Sequence, residues 1–166
     1  METLLKKGLA ELGLDCSGTP PLLRYGELLL ETNKVMNLTA ITEPKDVATL
    51  HFLDSAALLT LADLKGKTVV DVGTGAGFPG MPMKILEPSI QLTLLDSLGK
   101  RITFLQEVAT TDRSWVIISR VTEMLASSLR ISCRICPCVT TSSAVVASSI
   151  TRMRGWNISA IAMDVR

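Results

Sequence analysis

The stretch D-V-G-T-G-A-G-F-P-G, from Asp71 to Gly80, decides the fold of this chain. It continues the short run K-T-V-V (Lys67–Val70), whose β-branched residues are typical of a buried parallel strand. Glycines that follow such a strand allow backbone angles and close approaches that a Cβ atom would prevent. The stretch therefore predicts a strand, a tight turn and a helix, with a binding site for a nucleoside-containing cofactor at the turn.

The spacing of the turn glycines separates two kinds of cofactor. Gly73, Gly75 and Gly77 follow a G-x-G-x-G pattern, whereas dinucleotide sites use G-x-G-x-x-G and direct a helix N-terminus at a pyrophosphate. Asp71, at the predicted strand end, would repel a phosphate and would suit the positively charged S-adenosyl-L-methionine. That cofactor is therefore favoured; a dinucleotide site and a turn that only allows tight helix-strand packing are the alternatives.

A second acidic residue ends the next predicted strand. The run Q-L-T-L-L-D (Gln91–Asp96) has the apolar character of a strand. Asp96 lies about 20 residues beyond the last turn glycine, where a ribose-binding carboxylate belongs. Two strands with terminal acids around one glycine turn strengthen the prediction of an adenosylmethionine site.

Four blocks occur in order along the first part of the chain. They are N-L-T-A-I-T from Asn37, H-F-L-D-S from His51, the Asp71–Gly80 turn, and L-L-D-S-L-G-K-R from Leu94. Together they resemble the ribosomal RNA small subunit methyltransferase G family, also called glucose-inhibited division protein B. The resemblance runs over residues 1–108, roughly two thirds of the chain and about half of a full family member.

The resemblance implies an α/β fold and a cofactor, S-adenosyl-L-methionine. The expected architecture is a Rossmann-like class I methyltransferase sheet with an N-terminal helical region, incomplete at the C-terminus. In S-R-V-T-E (Ser119–Glu123) the chain resembles the family's S-R-V-E-E segment, which lies against the adenine. The residues that the resemblance places at the cofactor are Asp71, Gly73, Gly75, Gly77, Phe78, Asp96, Val121 and Thr122.

The expected roles of these residues differ. The glycines would let the backbone approach the cofactor, and Phe78 would pack beside it. Asp96 would accept hydrogen bonds from the ribose hydroxyls. Asp71 would organise the turn and the amino end of the cofactor through hydrogen bonds.

The resemblance also implies a substrate, N7 of a guanine in 16S rRNA within the small ribosomal subunit. Guanine N7 carries a lone pair and no proton, so its methylation needs positioning rather than a general base, and no catalytic residue is predicted. Candidate RNA contacts are Asn37, Thr39, Lys100 and Arg101. The alternatives are local turn and cap bonding for the first two, and capping and solvation by Asp96 for the last two.

His51 is the chain's only histidine, which excludes a histidine-based metal cluster or triad. Asp54, three residues further on, is its predicted partner on one helical face; a catalytic role is the alternative. The C-x-x-C-x-C run from Cys133 to Cys138 lacks a fourth ligand, so no metal site is predicted. No signal peptide is recognised at the start, and the expected location is a reducing cytoplasm.

The apolar residues at helical spacing predict helices over Met1–Leu14, from Pro20, and from Glu43 to Ala62. The chain thus divides into a helical region, residues 1–62, the first part of a cofactor-binding domain, residues 63–108, and a tail, residues 109–166. No membrane span is predicted, because serines interrupt the apolar run Val139–Ile150. A monomer is expected.

The tail differs in composition from the rest of the chain. Residues 1–108 carry a net charge of −3 with 8 Lys and 2 Arg, whereas residues 109–166 carry +4 with 7 Arg and no Lys. This change suggests a frameshifted or chimeric segment; a basic RNA-binding tail is the alternative. The predicted function is guanine-N7 methylation by a truncated or chimeric form. The alternatives are an inactive family fragment and a small-molecule methyltransferase of the same fold.

Overall fold

The structure is a computed structural model that describes residues 1–111, 116–120, 144–148 and 160–164. Helices occupy the N-terminal part of the chain, and strands alternate with helices after it. The segments are α1 (Glu2–Glu11), a 3₁₀ turn (Cys16–Gly18), α2 (Thr19–Met36), α3 (Pro44–Asp46), a π-helix (Val47–Leu53), α4 (Asp54–Leu61), β1 (Thr68–Val72), α5 (Gly80–Leu86), β2 (Gln91–Asp96), α6 (Gly99–Thr111), β3 (Val116–Arg120), β4 (Ala144–Ser148) and β5 (Ala160–Asp164).

The helix boundaries follow from local sequence chemistry. Prolines stand in the first turns of α2 and α3, where their missing N–H groups leave no intrahelical bond unmade. Asn37 ends α2 with a left-handed backbone, φ 49°, a conformation that asparagine tolerates. The π-helix inside the third predicted helix was not expected from the sequence.

The described strands form a five-stranded sheet in the order β3-β2-β1-β5-β4. Strands β1, β2 and β3 run parallel, with Asp71 opposite Leu94 and Asp96 opposite Arg120. Strand β5 pairs antiparallel with both β1 and β4. A doubly wound sheet continues beyond β1 with another parallel strand, so this sheet departs from that pattern at β5.

Two predicted strands are found close to their expected positions. Strand β2 has the predicted bounds Gln91–Asp96. Strand β1 is longer than its β-branched run and extends through Asp71 to Val72. The prediction that Asp71 ends the strand is therefore wrong by one residue, because β1 keeps its pairing with β2 as far as Val72 and Leu95.

The N-terminal helices and the sheet share one hydrophobic cluster. Its fully buried members, which come from both parts of the chain, include Leu5, Leu9, Leu22, Tyr25, Leu29, Phe52, Met81, Met83, Ile90, Leu92, Leu94, Phe104 and Leu105. Helices α1 and α2 thus pack on the same interior that β1 and β2 build. Across the described ranges, no helix combines the length and apolar character needed to cross a membrane.

Candidate functional site

The glycine turn lies where the carboxyl ends of β1 and β2 meet. The amides of Gly73 and Thr74 both donate to the carbonyl of Leu95, at 2.8 and 3.1 Å. The amides of Gly77 and Phe78 then donate to the carbonyl of Thr74, at 2.9 and 3.1 Å. The turn is therefore closed on itself and fastened to the end of β2. In α/β sheets, ligands bind at this carboxyl edge.

The turn glycines differ in what surrounds them. All three have left-handed backbones, with φ 75° at Gly73, 63° at Gly75 and 102° at Gly77. A Cβ atom at Gly77 would lie 2.6 Å from the Tyr25 hydroxyl oxygen and 2.7 Å from a Leu105 methyl group. Among the described residues, a Cβ atom at Gly75 would meet nothing closer than the Gly73 carbonyl oxygen at 4.0 Å. Protein packing thus requires glycine at 77, whereas the backbone at 75 faces open space that a ligand can enter.

Asp71 is fully buried beneath the turn. Its Oδ2 accepts hydrogen bonds from the Thr74 hydroxyl at 2.7 Å and from the Gly80 amide at 3.1 Å. Its Oδ1 is buried without a hydrogen-bond partner among the described residues. Burial raises the pKa of Asp71 to about 7, although the two hydrogen bonds act in the opposite direction. The carboxyl group therefore braces the turn against the start of α5, and near neutral pH it holds only part of a negative charge.

Asp96 joins the end of β2 to the turn. Its Oδ2 accepts from the Gly75 amide at 3.0 Å and from Arg101 Nη1 at 3.3 Å, and its Oδ1 accepts from the Leu98 amide at 2.8 Å. The side chain is only 2% exposed. A carboxylate can accept about four hydrogen bonds, so Asp96 retains capacity for one further donor at Oδ1, the oxygen that accepts from Leu98.

The four predicted RNA contacts are found in two places. Lys100 Nζ donates to the carbonyl of Met36 at 2.7 Å, next to the exposed Asn37 at the end of α2. Arg101 pairs with Asp96 inside the site. The Thr39 hydroxyl accepts from the Ile41 amide at 3.1 Å. The structure thus brings Asn37 and Lys100 together at one helix end and uses Thr39 and Arg101 in local bonds.

His51 lies against the turn rather than against Asp54. Its ring stacks on Phe78 with centroids 4.2 Å apart and planes 4° apart, and its Nε2 is 2.9 Å from the Thr39 hydroxyl. The predicted pairing with Asp54 is wrong, because the π-helix up to Leu53 changes the spacing that puts residues three apart on one α-helical face. Burial lowers the pKa of His51 to about 4, so the ring is neutral at physiological pH.

Two residues of the site, Tyr25 and Asn33, belong to none of the sequence motifs. Tyr25 donates its hydroxyl proton to the carbonyl of Ala76 in the turn. Asn33 accepts from the amides of Leu38 and Thr39, at 2.6 and 2.9 Å, and donates to the Thr39 carbonyl at 2.9 Å. Their position in the sequence could have indicated a role, because both polar residues lie among the leucines of α2. A tyrosine or asparagine that is buried there needs a hydrogen-bond partner.

Several predicted residues lie outside the described part of the chain. Strand β3 ends at Arg120, so Val121 and Thr122 fall just beyond it, as do Cys133, Cys136 and Cys138. Among the residues that are described, no group of three or more histidine, cysteine or acidic side chains is placed to hold a metal ion.

Parallel strands with a glycine turn and acidic residues at their carboxyl edge define an α/β protein of the nucleoside-cofactor-binding type. Comparison with known proteins narrows this class. The pattern of the family described as rRNA small subunit methyltransferase G matches residues 19–134. The chain belongs to this family. The match extends past Val108 and includes the Ser119–Glu123 segment, whose likeness to the family was inferred from the sequence.

Individual proteins of known name are similar in sequence to about two thirds of the chain. The Ribosomal RNA small subunit methyltransferase G of Alkaliphilus metalliredigens is 52% identical over 109 residues, which are 64% of this chain and 46% of the relative. The protein of the same name from Alkaliphilus oremlandii is 52% identical over 112 residues, which are 65% of this chain and 46% of the relative. The one from Symbiobacterium thermophilum is 50% identical over 108 residues, which are 63% of this chain and 44% of the relative. The chain spans a little under half the length of these relatives.

Proposed function

We propose that this chain carries the cofactor half of an S-adenosyl-L-methionine-dependent methyltransferase that modifies guanine N7 in 16S rRNA. Family membership supports the reaction class. The parallel β1-β2-β3 unit supports a Rossmann-like class I sheet. One observation carries the proposal: the Gly75 amide is bonded to Asp96, and no atom of the described residues fills the space in front of the Gly75 backbone.

The cofactor would lie across the carboxyl edge of β1 and β2. The residues fit a nucleoside: among the described residues nothing fills the space in front of the Gly75 backbone, and Asp96 can accept from a ribose hydroxyl, while Asp71 holds the turn from beneath through Thr74 and Gly80. Phe78 would form the wall towards His51. Val121 and Thr122 would complete the adenine side. When bound, S-adenosyl-L-methionine supplies the methyl group.

Methyl transfer to guanine N7 requires this chain's residues to orient the reactants. The acceptor nitrogen has a free lone pair and loses no proton, so a general base adds nothing to the step. His51 is neutral and already engaged by Thr39 and Phe78, which suits a positioning role. The geometry of the closed turn then supplies alignment, which is the main source of rate in such transfers.

The RNA would approach from the end of α2. Asn37 and Lys100 lie together there, and Lys100 can exchange its bond to a backbone carbonyl for a bond to a phosphate. Thr39 and Arg101 lie further inside, where they are bonded to His51 and Asp96. The proposed partner is the small ribosomal subunit, encountered in the cytoplasm by a monomeric protein.

Calorimetric titration with S-adenosylhomocysteine tests cofactor binding directly. We expect binding by the wild-type chain and at least tenfold weaker binding by Asp96→Asn, because hydrogen bonds to a charged acceptor contribute about 1.5–3 kcal/mol. Asp63→Asn, which changes an exposed acid, is the matched control and keeps wild-type affinity. Absence of binding by the folded wild-type chain would remove the proposal.

A second outcome, cofactor binding without turnover, is favoured by one feature of the sheet. Strand β5 lies antiparallel beside β1, where a doubly wound sheet places a parallel strand. Small subunits that lack the guanine modification, incubated with methyl-labelled S-adenosyl-L-methionine, separate the two outcomes. Label in 16S rRNA supports the enzyme; saturable binding with no label supports an inactive family fragment. Label transferred to small molecules without ribosomal particles supports a small-molecule methyltransferase.

A further inference from the structure

Tyr25 connects the N-terminal helices to the glycine turn. It lies in the middle of α2, is 1% exposed, and donates its hydroxyl proton to the carbonyl of Ala76, 51 residues further along the chain. Ala76 stands between Gly75 and Gly77, and of these two only at Gly77 would an added Cβ atom come closer than 3 Å to another atom of the described residues. A single hydroxyl group from the helical region therefore fixes the centre of the proposed cofactor loop.

The turn is shaped to receive this hydroxyl. A Cβ atom at Gly77 would come within 2.6 Å of it, so the absent side chain leaves the space that the tyrosine occupies. The Tyr25 ring stacks on Phe78 with centroids 5.4 Å apart and planes 17° apart. Its ring centroid is also 5.4 Å from that of Phe52 and 6.2 Å from that of Phe104. Aromatic packing on several sides holds the ring in place, and its hydroxyl donates to the Ala76 carbonyl.

A second connection reaches the same turn from the π-helix. His51 stacks on Phe78. The next residue, Phe52, also packs against the Phe78 ring, with ring centroids 5.8 Å apart. Neighbouring residues are closer in angle on a π-helix than on an α-helix, because a π turn contains more residues. The π-helix therefore allows both side chains to meet Phe78. Together with Tyr25 they hold the last residues of the turn from the helical side.

We infer that Tyr25 is a positioning residue: its hydroxyl sets the conformation of the Gly73–Phe78 turn, and cofactor affinity depends on it. The inference deepens the proposed function and rests on it for the identity of the ligand. Tyr25 does not touch the open side of the turn at Gly75, so it acts through the backbone. Burial raises the pKa of Tyr25 well above its usual value, and the hydroxyl stays a donor across the physiological range.

Tyr25→Phe is the test variant, because it keeps the ring and removes only the hydroxyl. Thr19→Val is the matched control: Thr19 is also a fully buried α2 residue whose hydroxyl donates to a backbone carbonyl, that of Cys16 at 2.7 Å. Loss of one such bond shifts a local equilibrium about fivefold. We expect amide hydrogen exchange at Gly77 and Phe78 to rise about fivefold in ligand-free Tyr25→Phe and to stay unchanged in Thr19→Val. S-adenosylhomocysteine affinity should fall by a similar factor in the first variant alone.

Equal turn exchange in the two variants would overturn the inference, even if both are less stable than the wild type. The exchange comparison needs no ligand, so it decides the role of Tyr25 even if the wild-type chain binds no cofactor, which would instead count against the proposed function.

A measurement without any variant uses the fact that Tyr25 is the chain's only tyrosine. Labelling with 3-fluorotyrosine gives one fluorine resonance, which should shift on saturation with S-adenosylhomocysteine. A resonance unmoved by bound ligand would contradict the coupling.

Discussion

Asp71 and His51 are buried titratable groups; burial favours the neutral form of each, so their pKa values move in opposite directions. Burial raises the pKa of Asp71 to about 7 and lowers the pKa of His51 to about 4. Folded Asp71 binds its proton more tightly than in the unfolded chain, and folded His51 binds its proton less tightly. Both groups therefore make the stability of the protein depend on pH below neutrality.

Asp71→Asn is expected to change that pH dependence. Native Asp71 stays protonated between its ordinary value of 3.8 and about 7, while the unfolded carboxyl is ionised, so its contribution to the free energy of unfolding falls as the pH rises through this range. His51 contributes a rise between about 4 and 6.5. Urea unfolding from pH 4 to 8 should show Asp71→Asn gaining stability relative to wild type as the pH increases. The exposed-acid variant Asp63→Asn should show no such trend, and parallel curves for wild type and Asp71→Asn would contradict the assigned pKa direction.

Alanine at the turn glycines should separate ligand binding from folding. Gly75→Ala meets open space and costs only the left-handed backbone, about 1–2 kcal/mol, yet its methyl group projects where the ligand would lie. Gly77→Ala carries the backbone cost and also drives a Cβ atom into Tyr25 and Leu105. We expect Gly77→Ala to be the less stable variant by urea unfolding. Gly75→Ala should lose S-adenosylhomocysteine binding by calorimetry while remaining folded; retained affinity would place the ligand elsewhere.

At the scale of the element, the end of α2 depends on one amide. Asn33 satisfies two backbone N–H groups and one carbonyl of the loop that follows the helix. The same loop presents Thr39 to His51 and lies beside Lys100. Because the loop has no strand or helix of its own between Asn37 and Glu43, this side chain determines its path.

Asn33→Ala should destabilise the protein by about 2–3 kcal/mol, since it leaves the buried amide of Leu38 and the half-buried amide of Thr39 without an acceptor. Gln106→Ala, which removes an exposed amide from α6, serves as the control and should change stability by less than about 0.5 kcal/mol. Thermal unfolding followed by circular dichroism measures both. Equal melting temperatures would show that the loop finds other partners.

For the whole molecule, local sequence patterns predicted the features that depend on residues close together in the chain, and not the contacts between distant residues. The strand Gln91–Asp96 and the turn after β1 follow from apolar runs and glycine spacing within a few residues. The Tyr25–Ala76 bond and the His51–Phe78 stack join residues 51 and 27 positions apart. No periodicity signals such pairs, because they depend on how the helices dock on the sheet. The same holds for β5, whose pairing with β1 no motif indicated.

The shared core makes a prediction that concerns both parts of the described chain at once. Leu9, fully buried in α1, belongs to the same cluster as Leu92 and Leu94 of β2. Truncation of a buried leucine to alanine lowers the free energy of unfolding by about 2–5 kcal/mol. In a cooperative domain, this loss destabilises every element that shares the core. Leu9→Ala should therefore reduce amide protection in β1 and β2 as much as in α2. Leu4→Ala, on the same helix but 37% exposed, should change protection in neither. Protection lost from α2 and retained in β1 and β2 would show instead that the helices unfold separately, and the glycine turn would then lose Tyr25 and His51 while its strands remained intact.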